Sequence, residues 1–340
     1  MVIINDGALF KGPHFCILYA QSFTSGLAEL DCSRTMKPKL FLYISLAVDL
    51  LIAVSKFIAT AFTGSSSMAS EGIHSVVDAI SQVLLIWGTK ASKKQPDHDR
   101  PFGYGKELYF WSFVVSLIIF VVGGCLSFFQ GITRLRHPEF QGNPYWNYAV
   151  LGFAFLFNGV SLFSALKVFN AQRKDVSFWA ALIKTKDPST IIVILGDIGD
   201  LLGLAVAFLG VYLSRLFHNH YYDGIASMII GTILLTISGF LLRESKSLLM
   251  GEPTSRKTLR RVVTIAESDS SISKVKKYYS MYLSPDEILL EMNAIFKEGL
   301  DTDDITDAIQ RVAGNIQKEF PNMKQIFIQP VAEKQPARKK

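Results

Sequence analysis

Histidine is absent from everything after His220, although the chain runs to residue 340. Cysteine is scarce too: Cys16, Cys32 and Cys125 stand at no metal-binding or redox spacing. These absences exclude a disulfide framework, a thiolate zinc site and a histidine-built zinc pair in the C-terminal part. Charge is also thin. Only 19% of residues are charged against 49% hydrophobic, and the charge is concentrated in the last quarter. The chain therefore divides into a charge-poor part and a charged, water-facing part.

The charge-poor part contains six apolar runs, near 40–62, 68–91, 108–132, 145–169, 188–214 and 223–243. Each matches the length of about 20 residues that crosses a bilayer as a helix. The net charge of +6 does not point to nucleic acid, because of where the basic residues fall. Lys90, Lys93, Lys94, Arg100 and Lys106 lie between runs two and three, and Lys167, Arg173, Lys174, Lys184 and Lys186 between runs four and five. The opposite loops carry only Arg134, Arg136 and Arg215. Basic loops mark the cytoplasmic side, so both termini and the two lysine-rich loops are expected there, in a multi-pass protein of the cell (inner) membrane.

Residues 1–37 have no basic n-region or cleavage site, and are expected to form a poorly structured extension rather than a signal peptide. Residues 38–250 form the transmembrane domain, an all-α bundle of six helices. Beyond Gly251-Glu252-Pro253 the pattern changes to a helix over 255–267, strands over 275–283 and 288–296 about a Ser284-Pro285-Asp286-Glu287 turn, a helix through Ile305, Ile309, Val312, Ile316 and Phe320, and a strand over 325–328. Asp301, Asp303 and Asp304 suit that second helix's N-terminus. The order αββαβ predicts an α+β ferredoxin-like domain over 251–332, followed by a basic tail, 333–340.

An ionisable residue within a span costs several kcal/mol unless it faces the bundle interior and finds a partner. Those present are Asp49 and Lys56 in run one, Glu71, His74 and Asp78 in run two, Asp197 and Asp200 in run five, and Asp223 at the start of run six. His74 and Asp78 share a helix face at i and i+4, as do Asp197 and Asp200 at i and i+3. One imidazole with carboxylates from two helices makes a site for a divalent transition metal, and a tetrahedral N/O set favours zinc. Glu71 reads as a gate or approach residue. Asp49 and Asp223 read as structural hydrogen-bond partners or pathway residues, and Lys56 as a side chain snorkelling to the membrane surface.

Several stretches resemble the cation diffusion facilitator family. "TGSSSMASEGIHSVVDA" is similar to its second-helix signature, "RPFGYGKELYFWS" to its loop before helix three, and "DGIASMIIGTILL" with "LLMGEP" to its sixth helix and exit. The "EGIHS" form resembles the branch related to the mitochondrial zinc transporter. The resemblance implies a homodimer that exchanges zinc, or iron, cobalt or manganese, for protons, with a cytoplasmic domain serving dimerisation. It implies metal ligands at His74, Asp78 and Asp197. The family's usual fifth-helix partner position is Val193 here, so a fourth ligand must come from Asp200, Asp49, a water or a backbone carbonyl. The family's second site maps to the loop after helix two, where Asp97 and His98 are the candidates and Arg100 and Tyr104 stand at common histidine positions.

The metal is substrate rather than cofactor, and neither enzymatic chemistry nor a nucleic-acid partner is expected. A non-transporting membrane scaffold of the same fold is one alternative. An intramembrane aspartyl protease is another, but its Gly-x-Gly-Asp motif is broken by Ile194 before Gly196-Asp197, and Tyr222-Asp223 follows that pair instead of preceding it.

Overall fold

A computed structural model describes residues 38–64, 66–136, 145–172, 177–219 and 221–332. The expected extension at 1–37, the tail at 333–340 and the basic residues Arg173 and Lys174 lie outside the described residues. The chain forms two units: one takes the chain up to Lys90 with Phe110–Ser245, the other Ala91–Tyr109 with the chain from Lys246 onward.

The first unit is helical. Its elements are α1 (Pro38–Thr63), α2 (Ser66–Ser92), α3 (Glu107–Ile118), a π-helical stretch over Ile119–Cys125, α4 (Leu126–Arg136), α5 (Tyr145–Gln172), α6 (Phe178–Lys184), α7 (Pro188–Leu216) and α8 (Tyr221–Met250), of which α2, α3 and α8 continue into the second unit. Helices of 26 to 30 residues are about 39–45 Å long, more than a hydrocarbon core of about 30 Å. Gly64, at φ 65°, ends α1, and its N–H donates to Thr60 O at 2.7 Å. The left-handed conformation favours glycine there. Asp187 caps α7, accepting from Ser189 N at 3.1 Å and from Thr190 Oγ1 at 2.6 Å, and Pro188 opens the first turn.

Four helices among the described residues are long and apolar enough to cross a membrane: Glu107–Arg136, Asn147–Lys167, Pro188–Leu216 and Tyr221–Met250. The first two of the six expected runs, in α1 and α2, are not among these four. In α1 the stretch Leu50–Thr63 is an apolar helix, and α2 is diluted by Glu71, His74, Asp78 and its serines. That dilution reflects what α2 carries, as the site shows.

Small residues bring helices close in this unit. A Cβ on Gly231 of α8 would meet the backbone of Phe128 on α4 at 2.5 Å, and one on Gly131 of α4 would overlap Met228 of α8. The largest apolar core joins Val77 and Leu85 of α2, Val115 and Ile119, Phe169 of α5, Leu182 of α6, Ile191 to Leu195 of α7 and Leu241 of α8.

The second unit contains α9 (Arg256–Glu267), β1 (Ile272–Ser284), β2 (Glu287–Phe296), α10 (Thr302–Glu319) and β3 (Gln325–Pro330). The sheet order is β1-β2-β3, with β1 antiparallel and β3 parallel to the central β2. Ile288, Leu290, Met292 and Ala294 alternate along β2 and are buried in one core with Val262, Ala266, Val312 and Ile316 of the helices. Asp301 and Asp304 form a reciprocal capping box at α10, so the aspartates expected at that helix start fix its first turn. The helix–strand order matches the one read from the sequence. The parallel β2–β3 pair, the short α6 and the π-helical stretch were not anticipated.

The close packing of α8 gives a paired expectation. Gly231→Val forces a side chain into the Phe128 backbone, an overpacking cost of about 1–3 kcal/mol. Gly239 on the same helix has nothing within 4 Å of its would-be Cβ, so Gly239→Ala is expected to be silent. Thermal unfolding of the two variants in detergent checks the contrast; equal midpoints would contradict the packing.

Candidate metal centre

The polar residues of α2 recur once per turn on one side: Ser67, Glu71, His74 with Ser75, Asp78 and Gln82. His74 lies at the middle of this stripe and is 2% exposed. Its Nε2 lies against the Asp200 carboxylate of α7, and Asp78 Oδ2 is 3.7 Å away. One ligand atom each from His74, Asp78 and Asp200 falls within 4.8 Å of the others. The other ring nitrogen, His74 Nδ1, is buried and makes no hydrogen bond. Buried polar atoms are ordinarily satisfied. His74 Nε2 and the Asp78 and Asp200 carboxylates nevertheless cluster, an arrangement able to hold a cation through one nitrogen and two carboxylates.

A polar cavity of about 30 Å³ adjoins this cluster, lined by Ile52, Ser75, Asp78, Gln82, Asn158, Ser161, Asp197 and Asp200. That is room for a water or two. Its α2 wall is Ser75, Asp78 and Gln82, so it extends from the level of His74 toward the C-terminal end of α2. Asp197 lines the cavity and is 3% exposed, and its Oδ2 accepts from Ser161 Oγ of α5 at 3.0 Å. Asp200, not Asp197, is the α7 carboxylate against His74. Val193 is packed in the apolar core, and Asp200 stands two turns further along α7. Ser161 and Asn158 were not singled out in the sequence. Their signal was two polar residues at i and i+3 in the otherwise apolar middle of α5.

The other sequence candidates are placed as follows. Asp223 is fully buried on α8 and accepts from Ser67 Oγ at 2.5 Å and from Ser67 N at 3.4 Å. It thereby holds a carboxylate at the positive N-terminus of α2. Asp49 lies on α1 and its side chain is outside the described ones. Lys56 corrects the snorkelling expectation: it is 1% exposed and its Nζ donates to Glu71 Oε2 at 3.0 Å and Ser75 Oγ at 2.7 Å. A carboxylate at its own depth leaves the ammonium no reason to reach for water. Glu71 is likewise fully buried.

Asp97 and His98 belong to the second unit, in the loop between α2 and α3. Asp97 accepts from Tyr104 Oη at 2.6 Å, from Lys94 Nζ at 3.1 Å and from Arg100 N at 2.9 Å. The Tyr104 hydroxyl, then the Lys94 ammonium and the Arg100 amide, hold its carboxyl down to about 2. A depressed carboxyl supports the folded loop above its ordinary range and loses that support as pH falls toward about 2. The clasp is therefore complete at neutral pH.

The chain matches the profile of the cation efflux transmembrane domain over residues 42–250. It is similar to the mouse proton-coupled zinc antiporter SLC30A9, mitochondrial, with 31% identity over 234 residues, 68% of this chain and 41% of that protein. It is similar to Arabidopsis thaliana metal tolerance protein C4, with 27% identity over 225 residues, 66% of this chain and 49% of that one. The Bacillus subtilis manganese efflux system protein MneP is 23% identical over 297 residues, 84% of this chain and 93% of that protein. The chain thus spans less than half the length of the first two and nearly all of the third.

Crowded buried charges cost stability until something offsets them. Asp200→Asn is expected to raise the thermal midpoint of the metal-free protein in detergent, because it removes one charge from a crowded cluster. Zinc is expected to raise the midpoint of the parent chain, by about 2.7 kcal/mol at a hundredfold excess over the dissociation constant, and to leave that of the variant unchanged. An unchanged zinc response in Asp200→Asn would remove Asp200 from the site.

Proposed function

The chain belongs to the cation efflux family, and from that premise we propose that it exports divalent transition-metal cations, zinc foremost, across a membrane in exchange for protons. The observation that carries the proposal is the buried convergence of His74, Asp78 and Asp200 beside a polar cavity. We assign Asp197 as the fourth ligand, released from Ser161 when a cation enters. Three carboxylates to one imidazole is a hard donor set, which brings manganese within reach as well. MneP, by its name a manganese efflux protein, favours keeping manganese as a second substrate.

In this reading α1 and α2 complete a six-helix bundle with the four apolar spans. Their lengths of 26 and 27 residues suffice for crossing. The C-terminal unit is read as ferredoxin-like and as the dimerisation domain of a homodimer. Both termini and the lysine-rich loops are placed on the cytoplasmic side of an inner membrane; for a mitochondrial protein, as the mouse relative is named, the matrix takes that place. A transporter, not an enzyme, is proposed, with lipid, metal ions and protons as its partners and no nucleic acid.

The mechanism follows from ligand chemistry. A metal binds only ligands that have lost their protons, and imidazole titrates near neutral pH, about 6.5 when free. A cation entering by the cavity past Gln82 and Asn158 displaces protons from His74 and the carboxylates. When the site opens to the opposite face, protons there compete for the same atoms and free the cation. Alternation between the two openings turns an inward proton gradient into export.

Purified protein in zinc-loaded vesicles tests this. His74→Ala, Asp78→Ala and Asp200→Ala are expected to reduce zinc flux to background, and Asp197→Ala to lower it by about 10–100-fold. Acidifying the receiving side is expected to speed flux, and acidifying the loading side to slow it. Wild-type flux in all four variants would sink the site, and flux indifferent to both pH changes would sink the proton exchange.

A further inference from the structure

One helical turn from His74, toward the α1–α2 connection, a second set of charges is buried outside the cluster above. Lys56 and Glu71 are 1% and 0% exposed. The Lys56 ammonium donates to Glu71 Oε2 at 3.0 Å, Ser75 Oγ at 2.7 Å and the Glu71 carbonyl at 3.4 Å. These three acceptors are a carboxylate, a hydroxyl and a carbonyl, the oxygen types that hold hard cations. A buried ion pair gains little stability over apolar residues of the same volume, so bracing α1 against α2 does not by itself require charge.

Glu71 has a spare oxygen. Its Oε1 is buried and has no hydrogen-bond partner. That oxygen lies against Gly203 of α7, where any Cβ would collide with it. Gly203 is three residues beyond Asp200, one turn along the helix that also supplies the cluster. The free oxygen therefore opens into the same α2–α7 seam as His74 and Asp200. The cavity touches Ser75, Asp78 and Gln82 of α2 but not Glu71, so the Lys56–Glu71 pair stands on the closed side of the cluster.

We propose that Glu71 forms a transit site for the transported divalent cation one turn beyond His74, and that the Lys56 ammonium occupies and closes it between transport events. This rests on the transport function proposed above. A cation leaving His74 on this side meets the spare Glu71 oxygen first and displaces Lys56, whose withdrawal opens the way toward Ser67 and Asp223.

Breaking the pair from its two ends separates a transit site from a brace. Lys56→Met keeps the aliphatic stem and leaves Glu71 to attract the cation, so the KM for zinc and the maximal flux are both expected to fall. Glu71→Gln leaves a buried ammonium beside the pathway, so KM is expected to rise. Each shift should reach about a hundredfold for a unit charge roughly a helical turn away at an effective dielectric near 20. The double variant K56M/E71Q is expected to return KM to within about threefold of the parent. Should Lys56→Met not fold, Lys56→Gln, which keeps a donor without the charge, gives the same sign. Flux is measured in vesicles and normalised to monodisperse protein. A brace would shift KM the same way in both single variants, or not at all, and either result overturns the transit site while leaving transport intact. A wild-type protein that moves no zinc overturns both.

Discussion

Ionised side chains placed inside a bilayer must face the bundle interior and be matched there, and α2 meets that demand turn by turn. Ser67 is held by Asp223 of α8, Glu71 by Lys56 of α1, and His74 lies against Asp200 of α7. Asp78 and Gln82 line a cavity whose far wall is Asn158 and Ser161 of α5. Each level of one stripe is answered by a different helix. The stripe therefore fixes the rotation of α2 about its axis and the neighbours that can stand around it. A slip of one residue would turn His74 and Glu71 toward lipid.

The rest of the helical unit lets that matching occur at the right depth. Asp187 and Pro188 set the start of α7, and from there the helix period carries Asp197, Asp200 and Gly203 along the seam with α2. Gly203 leaves room for the Glu71 carboxylate, and Gly131 and Gly231 let α4 and α8 approach at backbone distance. Apolar packing is dense where nothing polar is needed: Val193 joins Ile191 to Leu195 in the core on the same helix that carries two aspartates. One helix thus supplies both the rigid support and the reactive groups, which is how a site is kept in register.

Much of this was legible in the sequence because the helix period is short. His74 and Asp78 at i and i+4, and Asp197 and Asp200 at i and i+3, declare shared faces without any knowledge of the fold. The order of helices and strands after residue 255 was readable for the same reason, since Leu290, Met292 and Ala294 alternate while Val312 and Ile316 recur at helical spacing. What the period does not reveal is which turn of one helix meets which turn of another. Asp200 rather than Asp197 faces His74 because of the relative height of α7 and α2, a tertiary quantity. The burial of Lys56 was missed for a similar reason, yet a signal existed. Lys56 is eight residues before Gly64 and Glu71 seven after it, so two antiparallel helices turning at that glycine bring the two charges to one depth. The parallel β2–β3 pair left no such mark, because register between distant segments depends on the whole domain.

The charge balance at the level of the cavity narrows what can occupy it. Asp78, Asp197 and Asp200 contribute three carboxylates there, and among the described residues no lysine or arginine lines the cavity. The nearest buried ammonium on α1, Lys56, is already engaged with Glu71 one turn away. A single proton leaves such a set strongly negative in a low-dielectric interior, which is costly. A dication offsets most of that charge and also satisfies the imidazole nitrogen, which an alkali ion binds poorly. Several protons shared among His74 and the aspartates offset it equally well. Two fillings of nearly equal charge, one metallic and one protonic, can therefore exchange at this position with little change in electrostatic energy, whereas an empty, fully ionised site is disfavoured. Under the proposed transport function, that near-equivalence would favour obligatory exchange over free passage.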